Sequence, residues 1–145
     1  MIRNFVKRES VLVNVEVENW ETAVEKVGEL LLNIGAIEEK YIQAMINKVH
    51  ELGSYIVIAP QIAMPHARPE DGAKETNIAL ITLKNGINFG HEKNDPVKLV
   101  IGLAATDSAL HIEALAELME LLGSEGVLEK IIHSNSEEEL YGYLV

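Results

Sequence analysis

Residues 78–83, IALITL, and residues 97–105, VKLVIGLAA, are almost uninterrupted runs of apolar side chains. A strand with one wet face alternates apolar and polar residues. A strand covered on both faces has no reason to, so these two runs read as the centre of a sheet sandwiched between helices. Both are far shorter than the roughly 20 apolar residues that span a membrane. The segment between them, residues 84–96, is rich in turn formers, with Asn85-Gly86 as its sharpest turn signal.

Working outward, residues 55–59 (YIVIA) form a short β-like run closed by Pro60, and Ile62-Ala63-Met64 is another before Pro65. Residues 11–17 (VLVNVEV) alternate, the pattern of a half-buried strand. Between these lie two helical patterns. Asn19 caps one in which Trp20, Val24, Val27, Leu31 and Ile34 share a face and Gly35 ends the run. In the other, Ile42, Met45, Val49 and Leu52 share a face that ends at Gly53. After the second apolar run, Asp107 or Ser108 opens a helix with His111, Leu115, Leu118 and Leu122 on one side. A short helix follows over residues 125–133, and a last one begins at Ser136 with Glu139 completing a capping box. Helices precede, punctuate and follow the strands, so the expected fold is a single α/β domain over residues 1–145 with helices packed on a central sheet. Periodicity leaves the strand order and directions open.

Composition narrows the chemistry. The chain has no Cys, which excludes a disulfide framework, thiol catalysis and cysteine-ligated zinc within it. Its net charge is −11, from 23 acidic and 12 basic residues. Such a charge repels a nucleic-acid backbone, and no basic stripe interleaved with aromatics occurs, so no nucleic-acid partner is expected. The first ten residues, MIRNFVKRES, hold four charged groups and no apolar block, unlike a secretory signal, and a cytoplasmic location is expected. There is no Gly-rich phosphate loop, no Gly-x-Ser-x-Gly elbow and no His-Glu-x-x-His.

Five histidines remain: His50, His66, His91, His111 and His133. His66 follows Pro65 at the end of a β-like run, so its backbone arrives from a stiff, extended support. Imidazole with an ordinary pKa near 6.5 is largely neutral and nucleophilic at pH 7. Arg68, two residues on, offers a fork for phosphate oxygens. His111 lies in the first turn of its helix on the side that faces the protein body. Two imidazoles suit a phosphoryl relay, one as nucleophile and one supporting the phosphate charge. Against this stand two plainer readings, a surface histidine and a core-edge histidine bonded to a carbonyl. A metal site built from His66, His91 and His111 is a third.

The run Ile62-Ala63-Met64-Pro65-His66-Ala67-Arg68 resembles the G-I-A-hydrophobic-P-H active-site segment of enzyme IIA domains of the bacterial phosphoenolpyruvate-dependent sugar phosphotransferase system, in the mannitol/fructose class. Asp95-Pro96-Val97 with the strand after it, and His111 followed by Leu115, extend the likeness over nearly the whole chain. Residues 55–60 (YIVIAP), 65–72 (PHARPEDG) and 89–92 (FGHE) are most similar to the ascorbate-type IIA proteins. The resemblance implies a mixed sheet with helices on both sides. It implies that His66 takes a phosphoryl group through Nε2 from the phosphocarrier protein HPr and passes it to a cysteine of a IIB partner, with a membrane IIC component downstream. It implies that His111 supports the phosphate, and that neither a cofactor nor a metal is needed. An alternative within the family is a regulatory module whose phosphorylation controls a protein partner instead of transport. Two positions depart from the pattern. The family's usual arginine falls near Val49, where this chain has none, so Arg68 is expected to substitute for it. The usual first glycine of the active-site segment is Gln61. A shallow apolar apron for docking partners is expected around His66, with Ile62, Met64 and Ala67 as the local candidates.

Overall fold

The structure, a computed structural model, describes residues 2–145. Five strands, β1 (Val6–Val15), β2 (Val57–Ala59), β3 (Ile62–Ala63), β4 (Asn77–Ile87) and β5 (Val97–Ala104), form one sheet in the order β1-β4-β5-β3-β2. The sheet is mixed: β1 runs parallel to β4 and β3 parallel to β5, while β4/β5 and β2/β3 are antiparallel. The two apolar runs are the adjacent strands β4 and β5, in register from Asn77↔Ala104 to Thr82↔Leu99.

Their side chains leave the sheet alternately, and each face is covered by helices. Ala79, Ile81 and Leu83 join the core under α1 (Trp20–Asn33) and α2 (Lys40–Leu52). Ile78 and Leu80 join a second core under α3 (Ser108–Gly123), α4 (Val127–Ile132) and α5 (Glu137–Leu144). That two-sided burial is why the runs lack polar alternation. At Gly102 of β5 the sheet lies close against α1, since a Cβ there would sit 3.0 Å from a Val27 methyl.

The capping signals operate as expected. Asn19 accepts from Thr22 N–H at 2.9 Å, Asp107 from Leu110 N–H at 2.8 Å, and Ser136 from Glu139 N–H at 3.1 Å. The last box is shifted by one residue, because the Glu139 carboxylate accepts from Asn135 N–H. Two local expectations are corrected. Asn85-Gly86 makes no turn, and β4 runs through both to Ile87. Gly86 is there for space: a Cβ would lie 2.8 Å from the Pro96 ring carbon that packs against it. The second helix also sits rotated from its expected face. Tyr41, Met45, Ile46 and Val49 are buried, while Leu52 is 57% exposed.

Candidate active site

β3 and β5 run side by side in the same direction, and the chain leaves both at one end of the sheet. Leu103 N–H donates to the Pro65 carbonyl at 3.1 Å, and His66 pairs with Leu103 as a final parallel bridge. Three residues beyond β5, Asp107 caps α3, so the N-terminus of that helix stands beside His66. The crevice outside the carboxyl ends of parallel strands is where open α/β sheets place their sites. Here it is a cleft of about 390 Å³ lined by His66, Ala67, Arg68 and Pro69 from the β3 tail, Lys48 and Leu52 from α2, Tyr55, and Asp107, Ser108, His111 and Ile112 at the start of α3.

His66 is oriented by its own strand. Nδ1 lies 2.9 Å from the Met64 carbonyl oxygen. A carbonyl only accepts, so Nδ1 carries the proton and Nε2 keeps its lone pair. The His111 ring meets that of His66 edge-on at 5.5 Å between centroids, and Tyr55 meets it from another side at 5.8 Å. His111 is half-buried. Burial, and then the neighbouring His66, push its pKa below the ordinary 6.5, which keeps it neutral at pH 7.

Behind the site, Tyr41 of α2 is fully buried. Its hydroxyl accepts from Ala67 N–H at 3.0 Å and donates to the Leu103 carbonyl at 2.8 Å. That pins the residue after His66 to β5, and burial drives the phenol pKa up to about 12, so it acts as a neutral strut.

The three expected site residues, His66, His111 and Arg68, all line the cleft. Arg68 is engaged there. Its guanidinium donates to Asp71 at 3.2 and 3.3 Å and lies 3.5 Å from Glu70, and Asp71 also accepts Arg68 N–H at 2.9 Å. His91 lies outside the cleft lining, and its Nδ1 accepts from Lys93 and Asn94 N–H groups. Among the described residues no group of three His, Cys, Asp or Glu is placed to hold a metal. The apron is corrected in part: Ala67 lines the cleft, but Ile62 and Met64 are buried in the core and stay out of it. The exposed apolar rim comes from Leu52, Tyr55 and Ile112 instead, at 57%, 40% and 66% exposure. Ile112 carried a signal that sequence reading passes over, being the apolar residue off the core-facing stripe of its helix. Lys48 carried none.

A histidine at a strand tip with a free Nε2, facing a second imidazole and a helix N-terminus, has a geometry suited to phosphoryl transfer. Residues 4–145 match the family described as phosphoenolpyruvate-dependent sugar phosphotransferase system, EIIA 2, and the chain belongs to that family. It is therefore a phosphotransferase component that moves a phosphoryl group through histidine. It is similar to the ascorbate-specific PTS system EIIA component of Escherichia coli (strain K12), 36% identical over 138 residues that cover 94% of this chain and 90% of that one. Among solved structures it is similar to the mannitol-specific cryptic phosphotransferase enzyme IIA CmtB of Escherichia coli, with a TM-score of 0.89, 36% identity and coverage of 99% and 97%. Enzyme IIA of mannitol, solved in complex with phosphorylated enzyme IIB from Escherichia coli, superposes with a TM-score of 0.84 at 28% identity, covering 97% and 98%.

Proposed function

We propose that His66 is the phosphorylated residue of an ascorbate-like sugar uptake system, taking its phosphoryl group from HPr and giving it to a cysteine of a IIB protein in the cytoplasm, with a membrane IIC component using it downstream. The observation that carries this is the His66 Nδ1 bond to the Met64 carbonyl, which leaves Nε2 as the nucleophile over the cleft. The Nε2 lone pair attacks phosphorus in line. The bond from phosphorus to the donor's protonated imidazole breaks, and its electron pair returns to that ring, which leaves neutral. Phospho-His66 is then an imidazolium whose Nδ1–H is held by Met64. Delivery to a cysteine thiolate reverses the electron flow and restores neutral His66.

The remaining groups bind charge. His111, neutral beforehand, donates to a phosphoryl oxygen and gains a proton more readily once the dianion arrives. The N-terminus of α3 adds its dipole and the free N–H groups of Ser108 and Ala109. Arg68 reaches the phosphoryl group by exchanging its carboxylate partners. The exposed rim of Leu52, Tyr55 and Ile112 is the surface on which donor and acceptor dock in turn.

The test is intact-protein mass after incubation with phosphoenolpyruvate, enzyme I and HPr. One acid-labile phosphoryl adduct on the wild type, absent from His66→Ala and reduced in His111→Ala, is expected. An adduct that survives in His66→Ala overturns the assignment. An adduct that no IIB protein accepts moves the reading to a regulatory module.

A further inference from the structure

Two cations line the cleft, and their surroundings differ. Arg68 sits among two carboxylates within 3.5 Å, Asp71 and Glu70, so its immediate cluster is net negative by one charge. Its fork is filled by Asp71 in a two-point contact. A phosphoryl dianion has to displace that partner before it gains from the guanidinium, and Asp71, held below the usual carboxylate range first by Arg68, resists protonation that would release it. Lys48, near the C-terminal end of α2, is half-buried and lines the same cleft. It forms no ion pair among the described residues, although its charge reaches Asp71. It also lines the neighbouring groove with Glu51, Arg68 and Asp71, so it borders both.

Resting on the reading of His66 as the phosphoryl carrier, we infer that Lys48 is the principal cation of this site, its ammonium contacting the oxygens of the phosphoryl group on His66 Nε2. An ammonium on a flexible stem follows the group from donor to His66 to acceptor without losing a partner first. Its charge also offsets the negative end of α2, which the cleft would otherwise present to the phosphate.

Lys48→Gln, Lys48→Arg and Arg68→Gln are compared with the wild type in transfer from phospho-HPr and in a phosphorus NMR titration of the phosphoprotein. Expected is about a tenfold slower transfer in Lys48→Gln, a smaller loss in Arg68→Gln and recovery in Lys48→Arg. The phosphoryl ionisation midpoint is expected to rise in Lys48→Gln, because the ammonium favours the dianion, and to return in Lys48→Arg. A merely structural lysine leaves that midpoint in place. An unchanged rate and midpoint in Lys48→Gln, or a larger loss in Arg68→Gln, overturns the inference while leaving His66 phosphorylation intact. A wild type that takes no phosphoryl group at all overturns the relay reading itself.

Discussion

The two ends of β5 carry the two most distinctive polar segments of the chain, and they are organised in opposite ways. At the amino end, just before Val97, Asp95 accepts from three consecutive backbone N–H groups, those of Phe89, Gly90 and His91, at 2.8–3.0 Å. His91 then accepts from Lys93 and Asn94 through Nδ1, so its proton sits on Nε2. At the carboxyl end, on the order of 20 Å away along the strand, His66 donates through Nδ1 and keeps Nε2 open. The same side chain adopts opposite tautomers because one faces amides and the other a carbonyl. A polar segment bonded largely within itself holds a loop; one left with a free lone pair beside a cleft is placed for chemistry.

The largest contrast is therefore between histidines. His66→Ala loses the phosphoryl adduct entirely, whereas His91→Ala retains it, as intact mass will show; loss in both would erase the distinction. Next comes Asp95. Its three charge-assisted bonds make Asp95→Ala cost about 2–4 kcal/mol in urea unfolding, and the folded fraction still takes a phosphoryl group. Asp95→Asn loses less, since one carbonyl oxygen still accepts.

A smaller effect separates the ends by pH. His111 has a folded pKa below its ordinary 6.5, set first by burial and then by His66. Between the two values the unfolded chain binds more protons, so His111 makes stability rise with pH through that window and fall on acidification. That slope is expected to flatten in His111→Asn, with unfolding followed between pH 5 and pH 7.5. If the slope is unaltered, the cleft is wetter than its geometry indicates.

The smallest change is at Gln61, where the family pattern has glycine. Its φ is +72°, a left-handed conformation that glycine adopts freely and glutamine does not. Its carbonyl accepts from Lys98 and Leu99 N–H, and its own N–H donates to Asn94, which holds it there. Gln61→Gly is expected to stabilise the fold by about 0.5–1 kcal/mol. Destabilisation would mean that the side chain contributes more than the backbone strain costs.

Several of these features are legible in the residues because their causes are local. A cap bonds to a residue two or three positions away, so Asn19, Asp107 and Ser136 announce their helices. An apolar run of strand length announces burial on both faces, and Pro65 announces a stiff approach to His66. Asn85-Gly86 misleads for the converse reason. A glycine can free the backbone for a turn or clear space for a neighbour, and the neighbour, Pro96, is ten residues on in sequence but in contact only after β4 and β5 pair. Ile62 and Met64 mislead likewise, since adjacency to His66 in the chain does not decide which face of the sheet they occupy.

By itself the sequence determined the element types, most of their ends, the two-sided core and the histidine that stands at a strand tip. Only the tertiary structure decided the strand order, the tautomer that opens Nε2, the exposed apolar rim, and which of two cleft cations has no ion pair among the described residues. Those depend on Lys48, His66 and His111 meeting from α2, the tail of β3 and α3, a convergence set by packing between distant segments and not by any interaction short enough to leave a periodic mark.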